Sequence, residues 1–322
     1  MKKTPHYGEN GGFTQTMGGA YKKSVGSNIF DIFNLLFMII IVCVTLYPFW
    51  HVFAISISGA KQVEAGLINI IPKNISLRMY GLILSLKDVQ KGYFNTILYA
   101  VTANLVALCM NMCYAYPMSK PHLKGKPVLT IYLAITMFIN GGLIPTYLLI
   151  RSLGLYNTFL VMVLPGCVSA WAIIVMRTFF QQLPYELTES SMIDGAGELL
   201  ILVKVILPLS KPIIATMMLF GLVSTWNSWF NAFIYLKDEW RWPIQLILRK
   251  ISISGTIVDY NKAAQYVTQE SGGLVTQFGR GDKLPLNYQY TMLMVTILPL
   301  AVAYPFFHKY FAKGILVGSI KG

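Results

Sequence analysis

The residues of this sequence whose types and spacing could do chemistry fall into two stretches. Trp226, Asn227, Ser228, Trp229, Phe230 and Asn231 set aromatic faces beside amide side chains. That combination suits sugars, whose apolar pyranose faces stack on rings while amides supply hydrogen bonds. Interfacial anchoring by Trp and helix packing by Asn account for the same residues, so both readings stand. Asn104, Asn111, Asn140 and Trp171 are further candidates for the same polar path. The second stretch runs from Pro184 to Pro212, and its chemistry is contact. Pro184 is placed to open a helix. Leu187, Met192 and Ile193 then alternate with Glu186, Glu189, Ser190 and Ser191, and Gly195 and Gly197 break the pattern. A second amphipathic piece, Leu199 to Leu207, stops at Pro208. The pattern predicts a helix, a glycine turn and another helix lying along a membrane face, with small residues where something must approach closely. An ordinary interfacial linker shares this character, and Asp194 reads equally as a helix-end residue or a contact.

Elsewhere the reactive residue types do not converge. His6, His51, His122 and His308 are scattered over tails, loops and run ends, and Cys43, Cys109, Cys113 and Cys167 all fall within apolar runs. No disulfide framework, zinc site or hydrolytic constellation follows from that distribution. Ion-coupled carriers need carboxylates within their spans. Here Asp31 only borders the first apolar run, and Arg177 sits at an end where it can snorkel. The chain is therefore expected to do no catalysis and to bind no cofactor or metal of its own.

The elements that position these residues are set by composition. Of 322 residues, 55% are hydrophobic and 12% charged, about half the charge of a soluble domain. The net charge of +13 comes without a basic stripe of interleaved aromatics, so nucleic acid is set aside and membrane lipid is the expected neighbour. Apolar runs at residues 32–55, 93–116, 128–150, 157–180, 212–236 and 290–307 are each near the roughly 20 residues that cross a bilayer. No strand alternation competes, so the expected fold class is an all-α membrane protein of six transmembrane helices, residues 29–322, after an N-terminal tail, 1–28. The first run is too long and begins too late for a signal peptide.

An even number of spans places both termini on one side. Lys120, Lys124 and Lys126 in one short loop, against Arg151 alone in the next, point to cytoplasmic termini. The segment 183–211 then faces the cytoplasm, and the loops 56–92 and 237–289 face outward. The last is far longer than a usual helix connection. Its first half, with Trp240, Trp242, Pro243 and the apolar Ile244–Ile253, reads as packed structure. The polar 265–282, with Gly272, Gly273, Gly279 and Gly281, reads as an exposed tip.

The arrangement Glu189-Ser190-Ser191, Asp194-Gly195-Ala196, then Leu207-Pro208 resembles the "EAA" loop of ABC-importer permeases. The usual form there is Glu-Ala-Ala, three residues, Gly, about nine residues and an aliphatic-Leu-Pro ending, and the two serines here replace the alanines. Leu46-Tyr-Pro-Phe-Trp50, Phe138-Ile-Asn-Gly-Gly-Leu-Ile-Pro145, Met176-Arg-Thr-Phe-Phe180 and Trp226-Asn-Ser-Trp-Phe-Asn231 extend the likeness over most of the chain. They are similar to sugar-uptake permeases of the maltose-permease type, the LplC/YtcP group in particular.

The resemblance implies a MetI-like type I ABC importer permease fold in the bacterial cytoplasmic membrane. It implies that Glu186, Glu189, Ser190, Ser191, Asp194, Gly195, Ala196, Leu207 and Pro208 dock on an ATPase. It implies as partners a second permease subunit in a heterodimer, a cytoplasmic ATPase dimer carrying the ATP and Mg, and an extracytoplasmic solute-binding protein, serving an oligosaccharide or polysaccharide fragment. The loop 237–289 has a counterpart there that reaches the docked binding protein, although lineage-specific decoration explains it as well. An ATP-independent secondary sugar carrier is the alternative, and a membrane scaffold a third.

Overall fold

The computed structural model describes residues 25–254 and 286–319, with side chains for 26–252 and 286–305. The lysine-bearing tail before residue 25 and the polar stretch 265–282 lie outside the described residues. Helices, with short 3-10 and π turns, make up all of the regular structure among them, and no strand is present.

The chain divides at Trp50 into two units. The first contains the greater part of α1 (Val25–Ser56), whose apolar residues from Ile29 onward are almost all exposed. Side chains such as Phe33, Leu36 and Ile40 leave water only by meeting lipid or protein.

The second unit, from His51 onward, contains the remaining elements. Two short helices, α2 (Ala60–Glu64) and α3 (Arg78–Ser85), precede the 33-residue α4 (Lys87–Ser119). Then come α5 (Lys126–Phe138), α6 (Leu143–Ser152) and a 3-10 turn, Phe159–Met162. After α7 (Ala170–Gln181) a chain of short segments follows: α8 (Glu186–Ile193), α9 (Glu198–Ile201), a π turn (Leu202–Ile206) and α10 (Leu207–Leu209). The unit ends with α11 (Lys211–Trp226), α12 (Phe230–Tyr235), α13 (Ile244–Ser254) and α14 (Leu286–Ser319).

Helix α4 runs through three apolar clusters. Its start, at Val89, packs with α3, α13, Trp226 and α14; Tyr99 packs with α6, the 3-10 turn and α12; Met112 to Met118 pack with α5, α7 and the segments after α8. Side-chain hydrogen bonds fix α13 and the turn before it onto α4. Thr96 Oγ1 accepts the Ile244 N–H at 2.8 Å, and Asn95 Nδ2 donates to Trp240 O at 2.8 Å. The apolar first half of the stretch after residue 237 is thus packed structure.

Three of the expected spans are broken. The run 128–150 is two helices bent by 111° across residues 139–142, where Gly142 has φ +84. The run 157–180 is a 3-10 turn and a 12-residue helix, separated by Pro165 and a left-handed Gly166. The run 212–236 stops at Trp226 and restarts at Phe230. By length and composition three described helices can cross a membrane, α1, α4 and Leu286–Pro305 of α14, or up to five if α5–α6 and the pair Glu198–Leu209 with α11, bent by 83°, each count as one span.

Helices α4 and α11 approach closely at Gly221. A Cβ there would fall onto Asn104 Oδ1, 2.8 Å from Cγ, and Asn104 is itself buried. Gly221→Ala is expected to lower stability by about 1–3 kcal/mol, as overpacking does. Adding Asn104→Ser should recover much of that loss. Thermal unfolding of the purified single and double variants in detergent checks both; additive losses would show that this crossing is not the constraint.

Candidate functional site

Two places gather the residues singled out above. The first is a cavity of about 620 Å³ between α4, the segment 161–169, α7, α11 and α12. Asn227, Trp229, Phe230, Asn231 and Trp171 line it, together with Asn104 and Asn111. Its other lining residues are small, hydroxyl-bearing or apolar, with Ser224, Thr225 and Phe220 among them and no charged side chain. The wall thus combines rings and neutral hydrogen-bonding groups with aliphatic and small residues. Trp171 meets Phe220 at 5.9 Å between ring centres, and Trp229 meets Phe230 edge-on at 5.5 Å.

Asn111 holds one wall in place. Its Oδ1 accepts the Ser169 N–H at 2.9 Å and its Nδ2 donates to Cys167 O at 3.2 Å, while Ser169 Oγ caps α7 by accepting the Ala172 N–H. These contacts satisfy backbone groups that the break at Pro165-Gly166 leaves unpaired. At the other wall, Asn227 Oδ1 accepts from Gln245 of α13 at 3.3 Å, and the Arg249 guanidinium stacks 3.5 Å from the Trp229 ring centre.

Two sequence candidates lie elsewhere. Trp226 is buried in the cluster of α3, α13 and α14, where its Nε1 donates to Thr296 O at 3.2 Å and its ring meets Tyr93. Asn140 is exposed in the break after α5, and its Oδ1 accepts the Gly142 N–H. Both serve packing or turn formation.

The second place is the segment 184–212. Helix α8 ends in a Schellman motif: Ala196 N–H donates to Ser191 O and Gly195 N–H to Met192 O, each at 3.0 Å, with Asp194 at the C-cap. Gly195 takes φ +81 with nothing within 4 Å of a built Cβ, so backbone conformation and not crowding calls for glycine here. Ser190 and Ser191 both donate to Leu187 O, which keeps their hydroxyls on the helix and leaves a low profile. Glu186, Glu189 and Asp194 are exposed, and Ala196 is half-buried.

The second half of the segment is anchored. Ile201, Leu202 and Ile206 are buried against Met112, Ala115, Tyr116, Ile173, Met176 and Phe180. Leu207 packs partly on the same cluster, while Pro208 is exposed. Pro208 has no N–H to give to the carbonyl one turn back, and a π turn occupies the five residues up to Ile206. The outward side leaves Ile193 85% and Leu199 73% exposed, an apolar surface at the edge of three carboxylates.

One contact of this segment has no sequence signature. Glu198 Oε2 accepts from Tyr116 OH at 2.5 Å and pairs with Lys120 Nζ at 3.1 Å. Partial burial pushes the Glu198 carboxyl up, but the hydrogen bonds from Tyr116 and Lys120 and the Lys120 charge outweigh it and hold the group below its ordinary value. Partners 82 residues apart along the chain leave no local pattern, so only the fold reveals the pair. Among the described residues no group of three or more His, Cys, Asp or Glu could hold a metal, and all four cysteines are free.

Residues 16–234 match the family of binding-protein-dependent transport system inner membrane components. The chain is similar to protein LplC of Bacillus subtilis, 34% identical over 91% of this chain and 95% of that one. It is also similar to the polygalacturonan/rhamnogalacturonan transport system permease protein YtcP of the same organism, 35% identical over 92% and 99%. A solved bacterial ABC transporter involved in the import of the acidic polysaccharide alginate has a chain that superposes with a TM-score of 0.80, at 31% identity over 90% of this chain and 99% of that one.

Replacing Asn111 with Ala leaves the Ser169 N–H and the Cys167 carbonyl without their partner. A loss of about 1–3 kcal/mol is expected, read as a lower unfolding midpoint of the purified chain; an unchanged midpoint would mean the start of α7 is held by other contacts.

Proposed function

The chain belongs to the family of binding-protein-dependent transport system inner membrane components, and from that premise we propose a specific working assembly. The protein is a permease subunit of an ABC importer in the inner membrane, a transport component and not an enzyme, and the importer reading prevails over an ATP-independent carrier. Such importers work with an ATPase and a solute-binding protein. In the proposed assembly this chain pairs with a second, different permease subunit. ATP and Mg act on the partner ATPase dimer, and the cargo is a polysaccharide fragment. The names of the similar permease and of the alginate importer support the cargo class.

The observation that carries the coupling role is the segment 184–212. Its outer side carries apolar and acidic residues in a rigidly capped turn, while its inner side rests on the helices that line the cavity. We assign α8 and the Gly195 turn as the ATPase contact, on the cytoplasmic face. Six membrane crossings with both termini cytoplasmic follow if the bent pair α5–α6, the segment 157–181 and α11–α12 each cross once. The cavity is the proposed sugar path, with Trp171 and Trp229 as stacking faces and Asn227 and Asn231 as hydrogen-bonding groups. Coupling requires that the segment meet nucleotide-closed and nucleotide-open ATPase with different free energy.

The left-handed backbone at Gly195 separates this role from a passive linker. Gly195→Val is expected to cost about 1–2 kcal/mol at the turn and to suppress ATP-dependent uptake at matched membrane abundance. Gly195→Asn, which tolerates positive φ, should retain most of it. Purification of the tagged chain from native membranes, with identification of co-recovered subunits and assay of ATP hydrolysis, tests the assembly itself. Recovery of the wild-type chain alone and without ATPase activity would sink it.

A further inference from the structure

We infer that Glu198, Tyr116 and Lys120 form a latch that transmits movement of the segment 184–212 to α4, and through α4 to the cavity wall; this rests on the coupling role proposed above. Helix α8 itself is poorly held, with Thr188 its only buried residue. A cavity of about 310 Å³, lined by Tyr116, Lys120, Phe180, Tyr185, Thr188 and Ile206, separates it from the ends of α4 and α7. Little of α8 packs directly on the bundle, so force applied there travels mostly along the chain, back to α7 through residues 182–185, where Leu183 joins the core, and onward through the Gly195 turn to α9, whose first residue is Glu198.

There the connection is directional. Glu198 Oε2 takes the Tyr116 hydroxyl at 2.5 Å and the Lys120 ammonium at 3.1 Å, and Lys120 Nζ also lies 4.6 Å from the Tyr116 ring centre. The Lys120 side chain is only 16% exposed, so breaking the pair leaves a cation largely out of water. The neighbouring apolar contacts of Ile201, Leu202 and Ile206 hold the segment on the bundle but supply no polar pairing that specifies one register. The Tyr116 hydrogen bond, reinforced by the Lys120 ion pair on the same carboxylate oxygen, specifies a register that those contacts do not.

From Tyr116 back to Lys87 α4 is continuous helix, and its one proline, Pro117, lies in the last turn beside the latch. At about 1.5 Å per residue, Asn111 and Asn104 lie roughly 8 and 18 Å along the helix from Tyr116. Asn111 grips the start of α7 and Asn104 meets Gly221 of α11, so a shift of the α4 end is delivered to both cavity walls. Glu198, Tyr116 and Lys120 are positioning residues that act through α4.

The test uses the whole importer, purified through this chain and reconstituted with its binding protein. The four native cysteines are replaced by alanine and a single reporter, Ser224→Cys, is placed in the cavity wall. The labelling rate by N-ethylmaleimide is measured without nucleotide and with vanadate-trapped ATP. With the latch intact, trapping should change the rate at least about fivefold, the low end of typical allosteric coupling. Glu198→Gln and Tyr116→Phe should reduce the change to under about twofold while ATP hydrolysis persists. The exchange Glu198→Lys with Lys120→Glu keeps an ion pair but removes the carboxylate that Tyr116 meets at position 198, so it should restore only part of the change; a nucleotide-dependent labelling response lost while hydrolysis and assembly persist is what a purely structural role does not predict. A full response in Glu198→Gln and Tyr116→Phe overturns the latch. If Gly195→Val abolishes the response and these variants do not, the latch alone fails. If Gly195→Val also leaves it intact, or the wild type shows none, the coupling role fails with it. Should Glu198→Gln not assemble, Tyr116→Phe and the exchanged pair decide the matter, because the first keeps the Lys120–Glu198 pair and the second replaces it with a pair of reversed sense, leaving no buried charge unpaired.

Discussion

The structure depends on one helix crossing, α4 against α11 at Asn104 and Gly221. A buried amide in an apolar bundle must satisfy its polar atoms, and Asn104 Nδ2 does so on its own helix, donating to Ala100 O at 2.5 Å. That leaves the amide lying flat against α4, where only a residue without a side chain can pass. Close approach at a glycine is how helices pack where lipid removes the hydrophobic drive between them. Because α4 also contributes to all three large apolar clusters, this crossing fixes where α7, α11 and α13 stand around it. The cavity is the space that those positions leave.

Irregular backbone then gives the cavity its character. Non-helical chain is tolerated in a membrane bundle only where protein or a water-lined space receives its polar groups. The breaks at Pro165-Gly166 and at Asn227–Trp229 both border the cavity. Asn111 and Asn227 take up hydrogen bonds at those breaks, so the residues that make the wall polar also make the breaks possible. Asn157, in left-handed backbone at φ +57, does the same further out, accepting from Lys237 and Asp238 N–H and donating to the Asp238 carboxylate.

Much of this was legible from the residues, and the misreadings have a physical cause. The glycine-broken segment was readable because its requirements are local: a glycine at the C′ position, small residues and a proline stop. The aromatic cluster was readable in composition but not in direction. Trp226 and Trp229 are three apart and would share a face on a continuous helix. The helix ends at Trp226, so Trp226 turns into the cluster with α14 while Trp229 turns to the cavity. Asn140 was consumed by its own turn. The continuous span 157–180 failed because Pro165-Gly166 outweighs apolar content, and Glu198 stayed invisible because its partners are brought to it by tertiary structure alone.

The mixed polarity of α8 limits what can cover it. Ile193 of α8 and Leu199 of the adjoining α9 are exposed apolar side chains that lipid could solvate, yet Glu186, Glu189 and Asp194 stand on α8 and its cap. Immersing three carboxylates in hydrocarbon to shelter two aliphatic side chains is unfavourable, since each charge costs more than each apolar side chain returns. An aqueous protein cleft of mixed character resolves the conflict, because it can pair the charges and cover the apolar groups at once. On the proposed reading that cleft belongs to the ATPase. The poor internal packing of α8 is then not a defect of the fold, since a segment held firmly by its own bundle could not follow a partner that moves.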